Sequence, residues 1–367
     1  MSNDLRNVDV AIVGGGIVGC AVALAARQAG LTAAILERGR ICGEASSVAA
    51  GLICGQYDAD GDSPLVRLRL AGRDGFPEFA ELLESLGGAP VGYLPGPTMG
   101  VALTDDERER LLGRVAAQRE AGFDVEFLEP EEARRREPQL APDVTGAAIY
   151  PDGQVDTHRW APIVHRAVLA AGVDVHLGAE VVAISGGANA TVRTVRGTVS
   201  ADHVVLATGP WARELLPWVP VVPSKGHIIT FEAPNIRTRH VIHRPAGTLS
   251  QRSDGRLIFG ATKERVGFDR RVRAGAIESL LRAAAAGVPA LAEGTLTGIL
   301  TGFRPDPEDG LPLIGRDSRS GVMLATGHHT HGVTMSWLTG QIVARLLTGR
   351  DPEYPIEPFS PDRLSDR

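Results

Sequence analysis

The chain has 367 residues, 43% of them apolar and 22% charged, with a formal net charge of −6. That length and balance suit two lobes with substantial cores and exclude a disordered or fibrous chain. With no clustered basic face, they give no electrostatic ground for a nucleic-acid or anionic-membrane partner.

Taken in order, Val8–Val13 reads as a short buried parallel strand stopped by Gly14-Gly15-Gly16. An Ala- and Leu-rich helix follows from Ile17 to Ala29, ending at Gly30, and Leu31–Leu36 is a second strand. This is a complete βαβ unit, the opening of a doubly wound fold. A helix is predicted over Pro64–Leu86, then a Pro/Gly-rich stretch from Pro90 to Pro97. Thr104 to Glu107 has capping-box spacing and predicts a helix running to Ala121. A further helix at Thr157–Ala171 leads to strands at Val173–Leu177, Val181–Ile184 and Val204–Ala207. From Gly226 to Gly260, alternation broken by turn signals such as Ser253-Asp254-Gly255 predicts antiparallel sheet. The last third holds a strand at Val322–Ala325 and a helix from about Gly332 to Leu347.

The expected fold is therefore α/β: a Rossmann-like nucleotide-binding domain with a second, mostly antiparallel sheet domain. Residues 1–95, 145–225 and 300–350 are assigned to the first, 96–144 and 226–299 to the second, and 351–367 to a C-terminal tail. The run Arg134-Arg135-Arg136, flanked by Glu131, Glu132 and Glu137, reads as a solvated helix surface. Cys20, Cys42 and Cys54 form neither a CxxC pair nor a zinc spacing, which suits a reducing compartment. No apolar h-region precedes Val8 and no stretch reaches 18 uninterrupted apolar residues, so no membrane span is expected and the cytoplasm is the expected location. Only two lysines, Lys225 and Lys263, stand against 36 arginines.

Gly14, Gly16 and Gly19 make G-x-G-x-x-G between the first strand and helix. Gly14 permits the tight turn, Gly16 lets the backbone approach a pyrophosphate, and Gly19 lets helix and strand pack closely. Glu37, 23 residues after Gly14, ends the second strand where a carboxylate can accept both ribose hydroxyls and repel a 2′-phosphate. These features favour a dinucleotide and leave FAD and NAD open.

The wider pattern resembles the FAD-dependent D-amino-acid oxidase superfamily. The residues carrying the resemblance are Glu37-Arg38-Gly39 with Ala45-Ser46-Ser47-Val48-Ala49-Ala50-Gly51-Leu52-Ile53, then Val204 to Trp211 with its Ala207-Thr208-Gly209, and the Pro223–His227 segment, similar to a P-x-K-G-Q turn. Gly255–Thr262, Gly302–Pro312 and Ala325–Thr334 add to it, and their order is similar to the glycine and sarcosine oxidase branch, most of all to glycine oxidases of thiamin biosynthesis.

That resemblance implies FAD held by Gly14, Gly16, Ile17, Val18, Gly19, Glu37, Arg38, Ser46, Ser47, Ala50, Gly51, Leu52, Val182, Thr208, Gly209, Trp211, Gly302, Arg304, His329, Thr330, His331, Gly332, Val333 and Thr334. It makes Arg304 the anchor for a substrate carboxylate, since a guanidinium offers two parallel donors. The Gly327–Thr334 loop and the following helix N-terminus would set positive potential at the flavin. It implies hydride transfer from the substrate α-carbon to flavin N5, giving an imine that hydrolyses, with no dedicated base. Arg304–Gly310 holds no Cys or His at the positions where related sarcosine oxidases attach FAD, so the expected cofactor is non-covalent.

The chain departs from the branch at three positions. Thr248 stands where glycine oxidases usually carry a carboxylate-binding Tyr, Thr330 where some carry a second Arg, and Lys263 where a Met is usual. Fewer anchors and more room point to a substrate larger than glycine, such as an N-substituted glycine. Lys263 is open between a second carboxylate or oxygen contact and a plain exposed lysine. His328, His329 and His331 match the flavin loop, and no metal is expected. Three rival readings remain: an NAD dehydrogenase, a flavin monooxygenase or disulfide reductase, and a flavin-binding module without catalysis. Oxygen against a quinone or other carrier as electron acceptor, and a homo-oligomeric state, are also open.

Overall fold

The structure, a computed structural model, describes residues 5–187 and 190–364. Its nucleotide-binding lobe is built on a sheet in the order Leu313–Arg316, Met323–Thr326, Gly197–Leu206, Leu5–Val13, Ala33–Glu37 and Asp174–Leu177. Leu5–Val13 sits at the centre, parallel to both neighbours, with Val13 opposite Leu36 on one side and Leu206 on the other. Val10, Ala11 and Ile12 are buried, as a strand covered on both faces requires. The first helix, Ile17–Gln28, packs on Ser336–Leu347 so closely that a Cβ on Gly340 would lie 2.6 Å from the Ala21 carbonyl oxygen. Val181–Ser185 and Ala190–Thr194 extend Gly197–Leu206 as an antiparallel branch.

The second sheet runs Thr295–Pro307, Val221–Glu232, Leu257–Gly260, Gly247–Gln251, Val241–Arg244, Thr98–Ala102, Gly146–Tyr150 and Glu126–Leu128. All its pairs are antiparallel except Val241–Arg244 with Thr98–Ala102. Arg252, buried beside this sheet, joins the lobes by donating to Gln154 Oε1 at 2.7 Å and to the Ala50 carbonyl.

Several expectations are corrected. The helix expected over 64–86 is two, Pro64–Asp74 and Phe76–Gly87, because Pro77 has no N–H to continue the ladder. The helix expected from Thr157 starts at Ala161, with Pro162 in its first turn. The one expected from Gly332 starts at Ser336 and is preceded by a 3-10 turn, His329–His331. Pro223–His227 is no turn. It lies within the twelve-residue strand Val221–Glu232, where Pro223 opposes Pro305. Gly146–Tyr150, inside the stretch assigned to the nucleotide lobe, pairs in the second sheet because its partner is Thr98–Ala102. Residues 357–364 form two 3-10 turns, with Phe359 buried in the nucleotide lobe's core, so this part of the tail is packed.

Candidate active site

One cleft of about 890 Å³ runs from the C-terminal ends of the central strands to the second sheet. This is where an open parallel sheet binds ligands, outside the carboxyl ends of strands that diverge to either side. At its inner end Gly14 has φ +105°, and a Cβ there would lie 2.6 Å from the Ala207 carbonyl oxygen. A Cβ on Gly19 would lie 2.1 Å from the Gly14 oxygen, so this glycine serves helix–turn packing and does not line the cleft. Gly16 faces the cleft with only Ser46 Oγ within reach of an added Cβ, and Ile17 and Val18 open the helix beside it.

Glu37 is fixed by two backbone donors: Gly15 N–H to Oε2 at 2.8 Å and Gly39 N–H to Oε1 at 2.6 Å. Each oxygen keeps a second lone pair for a ribose hydroxyl. Val182 lines the same end, and Arg38 stacks on the Trp211 ring at 4.1 Å. Nearby, Thr208 Oγ1 is buried with no hydrogen-bond partner among the described residues, the kind of orphan that a bound group satisfies. Together, the glycine cradle, the anchored carboxylate and this hydroxyl fit an FAD along the cleft.

The two predicted serines divide. Ser46 Oγ accepts from the Ile17 N–H at 3.0 Å on the cleft wall, whereas Ser47 Oγ donates to the Cys42 carbonyl and is off the wall. Ala50, Gly51 and Leu52 line the middle. Gly302 does so opposite them, packed on Val48. Thr334 is also off the wall: its hydroxyl accepts from the Cys54 N–H and donates to the Leu52 carbonyl, both at 3.2 Å. It thus ties the Gly327–Thr334 loop to the segment facing it.

The histidines of that loop point three ways. His328 is buried with Nε2 3.0 Å from Thr339 Oγ1, while His329 Nε2 faces Asp306 at 3.7 Å. His331 Nδ1 bonds the Cys54 carbonyl at 3.1 Å and its Nε2 faces Asp58 at 3.3 Å. Among the described residues no group of three His, Cys, Asp or Glu side chains could hold a metal. His329, Thr330, His331, Gly332 and Val333 all line the cleft.

At the outer end, Arg304 lies in the strand Thr295–Pro307, its guanidinium over Gly226, where a Cβ would sit 2.6 Å from Nη1. Nη1 donates to the Thr262 carbonyl at 3.1 Å. Burial lowers its pKa to about 10, only partly offset by Asp306. Among the described residues no carboxylate lies within 4 Å of it, so the fork keeps free donors beside the cleft.

Thr248 is buried on the wall with its Oγ1 3.0 Å from His243 Nδ1, and His243 stacks on Tyr57 at 4.1 Å. The sequence reading missed His243, Tyr57 and Arg244, all of which line this end. For His243 there was a signal: it pairs with Thr248 across the Arg244–Gly247 turn. Tyr57 carries none, being distant in sequence from the Tyr150, His243 and Arg114 side chains it packs against.

Comparison with known proteins decides the family: a profile described as "FAD dependent oxidoreductase" matches residues 9–346. The chain belongs to that family. This oxidoreductase is 35% identical over 361 residues to a glycine oxidase of Geobacillus kaustophilus, covering 96% of each. The crystal structure of glycine oxidase from that organism superposes with a TM-score of 0.93 at 34% identity, covering 97% of this chain and 98% of that one. An iminodiacetate oxidase from Chelativorans sp. BNC1 superposes with a TM-score of 0.86 at 27% identity, covering 96% and 98%. FAD is thus its cofactor, and no described helix is long and apolar enough to cross a membrane.

Proposed function

We propose that this FAD-dependent oxidoreductase oxidises the Cα–N bond of a small amino acid, and an N-substituted glycine in preference to glycine. The observation that carries this is Arg304: a half-buried guanidinium with no carboxylate partner among the described residues, lining the cleft that fits the flavin. Such a fork is satisfied by a substrate α-carboxylate through two charge-assisted hydrogen bonds. FAD, held without a covalent link, would supply the acceptor for a hydride from the substrate α-carbon; with the nitrogen's proton passing to water, the product would be an imine that water hydrolyses to glyoxylate and an amine.

The chain's own residues bind and orient. Arg304 fixes the carboxylate end, and the wall of Val48, Gly302 and Val333 keeps the reacting carbon from water. Thr248 and Thr330 are short at the two positions where bulk or a second arginine would confine the amine, which favours a substituted nitrogen. The similar protein from Chelativorans is an iminodiacetate oxidase, and iminodiacetate is a secondary amine, which supports the same preference.

The test is anaerobic bleaching of the flavin bands by glycine, sarcosine and N-ethylglycine, followed by peroxide release in air with a dye acceptor in parallel. Faster bleaching by glycine than by either N-alkylglycine would sink the preference. Bleaching with dye turnover but no peroxide would make the protein a dehydrogenase.

A further inference from the structure

Thr262, Lys263 and Glu264 follow one another out of the sheet and take three different roads. The Thr262 carbonyl accepts from Arg304. Glu264 turns inward: its main chain pairs both ways with Lys225, at 2.8 and 2.9 Å, and its carboxylate faces Lys225 Nζ and His227 Nε2, each at 3.4 Å. Lys225 is fully buried and also donates to the Arg271 carbonyl at 2.9 Å, so its ammonium holds the whole 261–271 strap. Lys263, between them, is exposed and lines the cleft.

The carboxylates around this end are already committed. Asp306 Oδ2 accepts from Arg265 at 3.0 Å and Oδ1 faces His329. Glu107 accepts from the Leu103 N–H and faces Arg244, while Asp58 pairs with Arg69 and His331. Among the described residues, neither Lys263 nor Arg304 has a carboxylate within 4 Å. Burial, against the opposing pull of Asp306 and with smaller contributions from Arg304 and Lys263, presses the His329 imidazole down to about 4, so it stays neutral and adds no charge. Arg304 and Lys263 therefore line this cleft with no carboxylate partner among the described residues, and a substrate with one carboxylate neutralises only one of them.

We propose that the cleft takes a dicarboxylic secondary amine, an N-(carboxyalkyl)glycine, with its α-carboxylate on Arg304 and its distal carboxylate on Lys263. The inference rests on the amino-acid oxidase reading above and narrows its substrate class. The division of labour follows the side chains. The planar guanidinium, fixed by Thr262 and seated over Gly226, imposes one geometry on the carboxylate next to the reacting carbon. The ammonium, on a flexible stem at the mouth, follows a distal anion whose position varies with the alkyl spacer.

The test uses the FAD-loaded enzyme with iminodiacetate, the neutral-tailed N-ethylglycine of similar length, and sarcosine. The ratio of kcat/KM for iminodiacetate to that for N-ethylglycine should exceed one in the unmodified protein. It should fall about fivefold in Lys263→Met, mainly through KM, and stay within about twofold in Lys263→Arg. Raising ionic strength from about 0.01 M to about 1 M should lower the ratio in the unmodified protein far more than in Lys263→Met. A ratio at or below one, or a ratio that Lys263→Met leaves unchanged, overturns the proposal while leaving the amino-acid oxidase reading standing. Failure of all three amines to bleach the flavin overturns both.

Discussion

The imidazole Nδ1 of His243 and the hydroxyl of Thr248 lie 3.0 Å apart across a hairpin, both buried, on the cleft wall. Burial holds the imidazole down to about 4, so it is neutral near pH 7 and one partner must donate to the other. Thr248→Val removes that hydroxyl and strands a buried ring nitrogen. We expect a loss of about 1–3 kcal/mol in stability and a higher KM, with Thr248→Ser close to the unmodified protein. Thermal melts and steady-state kinetics check this; an unchanged KM in Thr248→Val would remove the hydroxyl from the substrate site.

Arg304→Lys tests whether planarity matters as well as charge. The lysine keeps the cation but loses the fork and its bond to Thr262, so kcat/KM should drop by roughly 10- to 100-fold. The FAD content should not change. Equal activity of the two forms would count against a bidentate carboxylate contact.

Glu37→Gln should weaken FAD binding by roughly 10-fold or more, because an amide cannot accept from both Gly15 and Gly39 and still receive two ribose hydroxyls. Titration of FAD into the apoprotein measures it. Substrate KM in the FAD-saturated variant should stay near the original.

Stability should fall on mild acidification. His243 and His328 are buried and held to about 4, below the ordinary 6.5, so the unfolded chain takes up their protons first. The sign is therefore fixed: stability is complete above pH 6.5 and declines as the pH falls toward 4, at roughly 1.4 kcal/mol per pH unit for each group. His328→Gln keeps a partner for Thr339 and removes one proton, so its melting temperature should vary less steeply between pH 6.5 and 4.5. An identical slope would show that His328 is not one of the groups involved.

The nucleotide end was legible because its constraints are local. A buried strand, a glycine turn and a helix follow one another within thirty residues, and Glu37 is set by the length of that unit alone. The outer end is assembled from segments that nothing local connects. Tyr57 reaches His243 only because the two lobes close on each other, and Glu264 turns inward only because Lys225 waits in a neighbouring strand. The strand Thr295–Pro307 escaped notice for a different reason. It contains two prolines and a run of exposed positions, and its length is explained by the twelve-residue partner it follows. Ser46 and Ser47 illustrate the limit of a motif: adjacent residues of the same type, one on the cleft wall and the other satisfying a neighbouring carbonyl.

The Gly327–Thr334 loop is laid against Leu52 and Cys54 by Thr334, some 280 positions later in the chain, and the strand leading into it, Met323–Thr326, completes the central sheet beside Gly197–Leu206. During synthesis, then, the glycine turn at Gly14–Gly19 emerges long before Thr334, which lays the later loop against Leu52 and Cys54. The cleft therefore depends on segments made far apart in time: without residues 325–333 it lacks one of the walls that now line it.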